Sequence, residues 1–349
     1  MHIRFDRQGA LAIVTLDRPQ ALNALTLEMV AALDDQLSAW AQDASVAAVV
    51  IRGAAGRAFC AGGDIRALHD ASKKGDAYPR DFYRTEYRLN HRIKTYPKPY
   101  IALIDGIVMG GGVGLSVHGS YRVVSERCQF AMPETGIGFF PDVGGSWFLP
   151  RCPGQLGTYL GLTGARIGAA DALYCGAATH YVPSAEMARV LGELEHMTWT
   201  SDHRGVVTAL LDRLAGDPGP APLAAHRQAI DRCFVADTIE EILARLGTEQ
   251  TAWAEETIAV LRRKSPTSLK VTLRQLRLGA GLKDFAAAMR MEYRMALHAV
   301  AADDFYEGVR AAVIDKDQAP RWRPATLDDV SAAEVERHFA PLARELELP

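Results

Sequence analysis

The sequence predicts an α/β fold followed by a helical C-terminal region. Short apolar runs at residues 11–16 and 46–51 are rich in Val, Ile and Leu, have the length of buried strands and end at turn residues. The segment between them, residues 26–42, carries apolar side chains at helical spacing. After about residue 200 strand-like runs disappear and helical patterns remain. Because strands and helices alternate in the first part of the chain, we expect an α/β arrangement there.

The first helix and the strands that follow it can be placed from their boundaries. Thr26 has the side chain of a helix N-cap, and the apolar face after it is formed by Leu27, Val30, Leu33, Leu37 and Trp40. Residues 99–104 predict a third strand, which leads into a glycine-rich turn at 110–114 and then a short helix. Strand character returns at residues 121–124. The alternation of strand and helix thus extends to this point.

The C-terminal third of the chain is predicted to be helical. Helical patterns occupy residues 222–234, 238–246, 251–263, 266–278, 283–300 and 303–314. We interpret RMEYRMALHAV at 290–300 as an ordinary packed face whose methionines fill the core. The proline-containing stretch at 217–224 is typical of a connection between two regions. We therefore expect one region at residues 1–215 and a helical region at residues 216–349.

Composition and charge exclude several classes of function. The 349 residues carry 39 Lys and Arg against 42 Asp and Glu, so the net charge of -3 gives no basis for nucleic-acid binding. No apolar run approaches the roughly 20 residues of a membrane span, so no membrane association is expected. The five cysteines are dispersed and form no C-x-x-C pair, which argues against a disulfide framework or a zinc site. The first residues show no basic segment followed by an apolar one, and a cytoplasmic location is expected.

Two glycine-rich loops follow predicted strands and precede predicted helices. One is GAAGRAFCAGGDIRAL at 53–68, and the other surrounds the consecutive glycines at 110–112, where G-x-G-x-x-G is not satisfied. Such glycines leave backbone N–H groups uncovered at a place where the helix dipole favours negative charge. One interpretation is an oxyanion hole, in which two converging N–H groups hold a negative oxygen. The other is close packing of a helix on a strand.

Two carboxylates stand in apolar and glycine-rich surroundings. Glu134 and Asp142 lie eight residues apart within AMPETGIGFFPDVGGSWFLP at 131–150. Burial raises the pKa of a carboxyl group and a second carboxylate raises one of the pair further, which suits general acid or base catalysis near neutral pH. Alternatively, Glu134 caps a helix or pairs with Arg122 or Arg151. The residues alone leave both interpretations open.

A serine hydrolase of the Ser-His-Asp type is disfavoured. Neither Ser116, in GLSVH, nor Ser146, in GGSWF, lies in the G-x-S-x-G pattern of a nucleophile elbow. His118 is expected to be a hydrogen-bonded core residue rather than a base. The carboxylates remain the candidates for catalysis.

Three segments resemble the crotonase (enoyl-CoA hydratase/isomerase) superfamily: LDRPQALNAL at 16–25, AFCAGGDIRAL at 58–68 and KPYIALIDGIVMGGGVGLSVHGSYRV at 98–123. The resemblance implies a ClpP/crotonase-like spiral of ββα repeats in residues 1–215. It also implies an oxyanion hole formed by the backbone N–H groups of Gly63 and Gly111, with the thioester carbonyl of a CoA substrate between the two loops. An acyl-CoA substrate, self-association as a homo-oligomer, and no metal or cofactor beyond the CoA of the substrate are expected.

Within the superfamily, the chain resembles a branch of thioester hydrolases that act on short branched β-hydroxyacyl-CoA. The segments that carry this likeness are EYRLN at 86–90, MGGGVGLSVHG at 109–119, FAMPETGIGFFPDVGG at 130–145, SPTSLKVTLRQL at 265–276 and DFYEGVRAAVIDKDQAPRW at 304–322. The likeness implies that Glu134 and Asp142 are the catalytic carboxylates. It implies that these two residues, Glu86 and Gly111 contact the substrate.

Two other functions remain as alternatives. Similar hydratases carry a second glutamate two positions beyond the glycine triplet, where this chain has Gly114, so hydration of an alkene should be poor. An enoyl-CoA hydratase or isomerase with Asp142 as proton shuttle is still one alternative. A non-catalytic CoA-binding protein is the other. In a hydrolase, Glu134 would act as nucleophile or as general base on water.

Overall fold

The computed structural model describes residues 2–54 and 56–348 and contains two β-sheets. A six-stranded sheet has the order β1-β2-β3-β5-β7-β9, and a three-stranded sheet has the order β4-β6-β8. Among the described strands, β1 and β2 pair antiparallel and the other neighbouring strands pair parallel. The strands are β1 (Ile3–Gln8), β2 (Leu11–Leu16), β3 (Ala48–Gly53), β4 (Ala58–Cys60), β5 (Tyr100–Ile104), β6 (Ile107–Met109), β7 (Tyr121–Val124), β8 (Gln129–Ala131) and β9 (His180–Tyr181).

Helices cover both sheets and make up the C-terminal region. They are α1 (Leu27–Gln42), α2 (Ile65–Lys73), α3 (Tyr78–Lys94), α4 (Gly111–Gly114), α5 (Gly145–Phe148), α6 (Leu156–Thr163), α7 (Ala169–Tyr174), α8 (Met187–Glu195), α9 (His203–Leu214), α10 (Arg227–Phe234), α11 (Ile239–Glu249), α12 (Ala252–Leu261), α13 (Pro266–Ala280), α14 (Phe285–Ala299), α15 (Asp303–Val309) and α16 (Ala332–Arg337). None of the described helices is long and apolar enough to cross a membrane.

The chain alternates between the two sheets. Each of β3, β5 and β7 in the larger sheet is followed by a short strand of the smaller sheet and then by helical structure. This is the ββα repeat expected from the resemblance. One detail of the sequence interpretation was wrong: β5 does not lead directly into the glycine turn, because Ile107–Met109 forms β6 first. A strand of three residues after Asp105 and Gly106 is too short to produce a recognisable pattern.

The first helix forms where its sequence predicts. Thr26 is the N-cap, and its side chain accepts a hydrogen bond from the N–H of Met29 at 3.3 Å. Four of the five predicted apolar positions are buried, and Leu27, at the first turn, is half-buried. The buried face packs on α3, which carries part of the functional site.

The larger sheet is buried on both faces. Every residue of β2 and of β5 is buried. One face packs on α8 and α9, and the other joins the main core beneath α1 and α3. Because parallel strands covered on both sides are continuously apolar rather than alternating, these runs were recognisable as strands from sequence. The sheet is therefore a rigid base for the loops at its edge.

The region after β9 is helical, as predicted, and it packs on the first part of the chain. Helix α14 lies against α3, and α13 lies against α5 and α6. The boundary between residues 215 and 216 stays a prediction. All five cysteines are buried and free.

Candidate active site

A small cavity lies where both glycine loops, α3 and the segment after β8 meet. Its lining includes all five residues that the sequence indicated: Gly63, Glu86, Gly111, Glu134 and Asp142. Its volume is about 110 Å³. This is below the roughly 300–1,000 Å³ of pockets that take whole drug-sized ligands, so the cavity suits a short acyl group rather than an entire CoA molecule.

The two glycine loops bring a pair of backbone amides together. A Cβ placed on Gly111 would lie 3.3 Å from the nitrogen of Gly63, and one on Gly62 would lie 3.6 Å from the nitrogen of Gly111. Among residues 2–54 and 56–348, neither of these two amides donates a hydrogen bond to the protein. Gly62 has φ +111° and Gly110 has φ +47°, values that side chains rarely adopt. The loops thus present two free donors to one space.

Glu134 occupies the first position of a 3-10 helix, Glu134–Ile137, that follows β8. The residue is 6% exposed, and its Oε2 atom is buried without a hydrogen-bond partner in the described chain. A Cβ on Gly110 would lie 3.0 Å from its Oε1, so the carboxyl group stands beside the second glycine loop. Burial raises the pKa of Glu134 well above its usual range, and the nearby Asp142 raises it further.

The alternative interpretations of Glu134 do not apply. The guanidinium group of Arg122 donates to the carbonyl oxygens of Gly119, Gly176 and Ala177. Arg151 instead donates to main-chain carbonyls of other segments, including Trp147 at 2.7 Å. The Glu134 side chain caps no helix, because the N-cap position of its 3-10 helix belongs to Pro133. The carboxyl group is thus left facing the cavity.

Asp142 is held by a tyrosine. The hydroxyl group of Tyr87, on α3, donates to Asp142 Oδ2 at 2.8 Å. Burial raises the pKa of Asp142 to about 7, although the Tyr87 hydrogen bond opposes this shift. A carboxyl group with this pKa exchanges its proton near neutral pH, which is the property required of a general acid or base.

Glu86 is the third carboxyl group of the cavity. It lies one residue before Tyr87 on α3, is 2% exposed, and has no partner for Oε1 in the described chain. Burial raises its pKa well above the usual range, and the charges of Asp142 and Glu134 add to the effect. Burial raises the pKa of all three carboxyl groups, and repulsion between them raises those of Glu86 and Glu134 further, which opposes ionisation of all three at once.

Two supporting residues were missed by sequence reasoning. The sequence places Tyr87 within a motif that resembles the family and Glu292 on an ordinary packed face of α14, and neither position predicts a role in the site. The carboxyl oxygens of Glu292 accept hydrogen bonds from the N–H groups of Gly144 at 2.7 Å and Ser146 at 2.8 Å. It thereby fixes the turn that follows Asp142. A charged residue within an apolar helical face was the signal, since such residues are rarely buried unless they are paired.

His118 has a structural place, as expected. It is buried and bonded through Nε2 to the carbonyl oxygen of Val143 at 2.7 Å. Burial lowers the pKa of its imidazole to about 3, so the ring is neutral at physiological pH. In the described part of the chain, no group of three or more His, Cys, Asp or Glu residues is arranged to hold a metal ion.

A family model described as enoyl-CoA hydratase/isomerase matches residues 11–339. The chain belongs to the enoyl-CoA hydratase/isomerase, or crotonase, superfamily. Curated members of this superfamily named "3-hydroxyisobutyryl-CoA hydrolase, mitochondrial" are similar in sequence to this chain over most of their length. The protein of Rattus norvegicus is 46% identical and that of Homo sapiens 44% identical, each over 97% of this chain and 89% of the relative.

Two solved crotonase structures have the same fold. One is described as a carnitinyl-CoA dehydratase from Mycobacterium thermoresistibile, with a TM-score of 0.93, 42% identity and coverage of 99% of this chain and 98% of that one. The other is described as an enoyl-CoA hydratase from Rhodobacter sphaeroides 2.4.1, with a TM-score of 0.91, 41% identity and full coverage of both chains. The expected crotonase fold is confirmed.

The expected cytoplasmic location is wrong. The curated crotonase relatives from Rattus norvegicus, Gallus gallus and Homo sapiens are all named as mitochondrial proteins. The composition of a folded domain does not determine the compartment in which the protein works. The bulk properties of the sequence therefore could not predict the location.

The position where similar crotonase hydratases carry a second glutamate is closed. A Cβ on Gly114 would lie 2.7 Å from Asn90 Nδ2 and 2.7 Å from Val143 Cβ. These distances are shorter than van der Waals contact, so no larger side chain fits there without movement of its neighbours. The pair of carboxyl groups in this cavity therefore comes from Glu134 and Asp142 rather than from position 114.

The raised pKa of Asp142 predicts an unusual dependence of stability on pH. The folded protein keeps this proton up to about pH 7, whereas the unfolded chain releases it near the ordinary value of 3.8. The folded state thus binds more protons between these values, and its stability falls as pH rises through them, by up to about 1.4 kcal/mol per pH unit. Below both pKa values Asp142 is protonated in the folded and the unfolded state, so the stability that its proton contributes is fully present.

We expect Asp142→Asn to remove this contribution. Urea unfolding between about pH 4 and 7 should then give a free energy of unfolding that depends less steeply on pH than in the wild type. Glu292, whose pKa burial raises to about 8 with a smaller contribution from the charge of Asp142, stays in both proteins, so the variant keeps a residual slope. Equal slopes for the two proteins would contradict the assignment of a protonated Asp142.

Proposed function

We propose that the chain hydrolyses 3-hydroxyisobutyryl-CoA to 3-hydroxyisobutyrate and CoA, a step of valine degradation. The names of its curated relatives, at 42–46% identity over nearly the whole chain, support this substrate. The observation that carries the chemistry is the unpartnered, buried Oε2 of Glu134 in the same cavity as two free backbone amides. A thioester needs both a group that attacks or activates water and donors for the oxygen that becomes negative.

In the proposed mechanism, the N–H groups of Gly63 and Gly111 hold the thioester carbonyl oxygen. Glu134 attacks the carbonyl carbon to give a mixed anhydride that water then opens, or it takes a proton from the attacking water. Asp142 supplies the proton that converts the departing CoA thiolate into a thiol. Glu86, with its free Oε1, bonds to the hydroxyl group of the acyl chain. No cofactor takes part in these steps.

The shape of the cavity supports a short acyl chain. Its volume is about 110 Å³, and its lining includes the aromatic side chains of Phe82, Tyr83, Phe139 and Phe305. Apolar walls around three acidic groups suit a branched carbon skeleton that carries one hydroxyl group. Self-association of the chain stays a prediction.

Hydration of an enoyl-CoA is the second candidate, because one solved structure at 41% identity is described as an enoyl-CoA hydratase. Hydration in this branch of the superfamily would need a second acidic group near the alkene. The space at Gly114 gives none, so hydration would have to use Asp142 in place of the glutamate that similar hydratases carry there. Hydrolysis is therefore favoured.

One assay separates the candidates. The protein is incubated with 3-hydroxyisobutyryl-CoA and with crotonyl-CoA while free thiol and the conjugated alkene are followed. Thiol release from the first substrate without alkene loss from the second is the expected result. Alkene loss alone would identify a hydratase, and no reaction of either compound would identify a CoA-binding protein without turnover.

Tyr87→Phe tests the support of Asp142. The variant keeps the ring but removes the donor to Asp142 Oδ2, and a hydrogen bond to a charged group contributes about 1.5–3 kcal/mol. We expect kcat to fall by about tenfold or more and the pH profile to move to higher pH, because the hydrogen bond that lowers the pKa of Asp142 is lost. Tyr96→Phe, whose hydroxyl donates to the carbonyl of Leu37 away from the cavity, is the matched control. An unshifted profile in Tyr87→Phe would exclude this role.

A further inference from the structure

Asn90, on α3, carries a buried amide group without a partner. The residue is fully buried, and neither its Nδ2 nor its Oδ1 has a hydrogen-bond partner within residues 2–54 and 56–348. Asn23, which is also buried, shows the usual arrangement: its Oδ1 accepts from the N–H of Arg18 at 2.9 Å, and its Nδ2 donates to the carbonyl oxygen of Ala58 at 3.0 Å. Burial of an amide is unfavourable unless another group completes its hydrogen bonds.

The amide of Asn90 lies near the carboxyl group of Glu86, one turn earlier on α3. Both side chains face α4, because a Cβ on Gly111 would lie 2.5 Å from Glu86 Oε1 and one on Gly114 would lie 2.7 Å from Asn90 Nδ2. Glu86 Oε1 is likewise buried and has no partner in the described part of the chain. The two glycines of α4 therefore leave room for two unpaired polar groups on the facing helix.

The separation of these two groups suits one bridging water molecule. Side chains four residues apart on a helix have Cβ atoms about 5–6 Å apart. No direct hydrogen bond joins Glu86 Oε1 to the Asn90 amide, whereas a water bonded to both at about 2.8 Å would span roughly this separation. Asn90 does not line the acyl cavity, so it acts on a substrate through another group. Glu86, which lines the cavity, is the neighbour that can transmit its effect.

We propose that Asn90 is a positioning residue that makes the site selective for hydroxylated acyl groups. Its Nδ2 donates to an internal water, and the water donates to Glu86 Oε1, which keeps the carboxyl group directed towards the hydroxyl group of the acyl chain. A carboxyl oxygen has two lone pairs, so Oε1 can accept from the water and from the substrate together. The selectivity rests on the proposed function, whereas the water site does not.

A crystal structure of the wild-type protein, at a resolution that shows ordered water, tests the water site without an assay. Density is expected for a water within about 3.2 Å of both the Asn90 amide and Glu86 Oε1. The same water should be missing from Asn90→Leu, whose side chain has a similar branched shape but no polar atom. A wild-type structure without this water would overturn the proposal, whether or not the variant folds.

Selectivity is measured as the ratio of kcat/KM for 3-hydroxyisobutyryl-CoA to kcat/KM for isobutyryl-CoA, which lacks the hydroxyl group. Asn90→Leu should lower this ratio by about tenfold, because the hydrogen bond from the substrate to Glu86 is weakened. A general loss of packing would instead lower both values alike and leave the ratio unchanged, which would also overturn the proposal.

Thr272→Val is the matched control for Asn90→Leu. It replaces another fully buried polar group without a partner in the described chain, on α13 and away from the cavity, by an apolar group of the same shape. The ratio should stay at the wild-type value, and a fall equal to that of Asn90→Leu would contradict a specific role of Asn90. If the wild type hydrolyses neither thioester, the proposed function fails, while the crystal structure still decides whether the water site exists.

Discussion

Glu134→Gln is expected to lower kcat for thioester hydrolysis by about 10²-fold or more, while the affinity for CoA stays nearly the same. The amide has the shape of the carboxyl group but can neither attack the carbonyl nor accept a proton from water. The cavity walls and both backbone amides are retained, so the ground-state complex should form normally. Thiol release under saturating substrate gives kcat, and equilibrium titration with CoA gives the affinity.

Glu256→Gln, an exposed position on α12, serves as the control for this substitution. It should leave kcat unchanged. If Glu134→Gln turns over at the wild-type rate, Glu134 has no part in the chemistry, and Asp142 or Glu86 would have to be reconsidered as the attacking or activating group.

Gly111→Ala is expected to reduce kcat by about 10²- to 10³-fold, the usual effect of losing one donor to a developing oxyanion. The added Cβ would lie 2.5 Å from Glu86 Oε1, 3.1 Å from Leu25 Cδ1 and 3.3 Å from the nitrogen of Gly63. It therefore intrudes into the space where the carbonyl oxygen is proposed to sit, and it displaces Glu86. The φ angle of Gly111 lies outside the glycine-favoured region, so steric contact rather than backbone strain is the cause.

Gly192→Ala is the matched control for Gly111→Ala. This glycine lies within α8, where an added Cβ meets nothing within 4 Å, so alanine should fit and slightly stabilise the helix. Both variants are followed by Tm and by kcat. A folded Gly111→Ala protein with full turnover would show that the two amides do not bind the reacting oxygen.

Much of the framework could be predicted because it depends on local sequence. The periodicity of residues 26–42 and the continuous apolar runs of β2 and β3 reflect burial, which leaves a pattern within each segment. Three-residue strands such as β4 and β6 could not be recognised, since so few residues show no clear alternation.

The residues of the candidate site also fall into a group that the sequence could predict and a group that it could not. Gly63, Gly111, Glu86, Glu134 and Asp142 were indicated by motifs that resemble the crotonase superfamily, and they meet in one cavity. The contribution of Glu292 could not be predicted, because its partners Gly144 and Ser146 lie 148 and 146 residues away. When a side chain pairs with backbone amides far away in the sequence, no characteristic spacing of residues indicates the contact.

Glu292 fixes the turn that follows Asp142, and this dependence also determines when during synthesis the protein can become active. A ribosome that has translated only as far as α13 has made both glycine loops and the carboxyl groups proposed to react. It has not yet made Glu292, which anchors Gly144 and Ser146, nor Phe305, which lines the cavity. We therefore expect the nascent polypeptide to be inactive towards thioesters until α14 and α15 have emerged. A premature stop codon before α14 would yield a protein that retains every proposed reacting group but has no competent site.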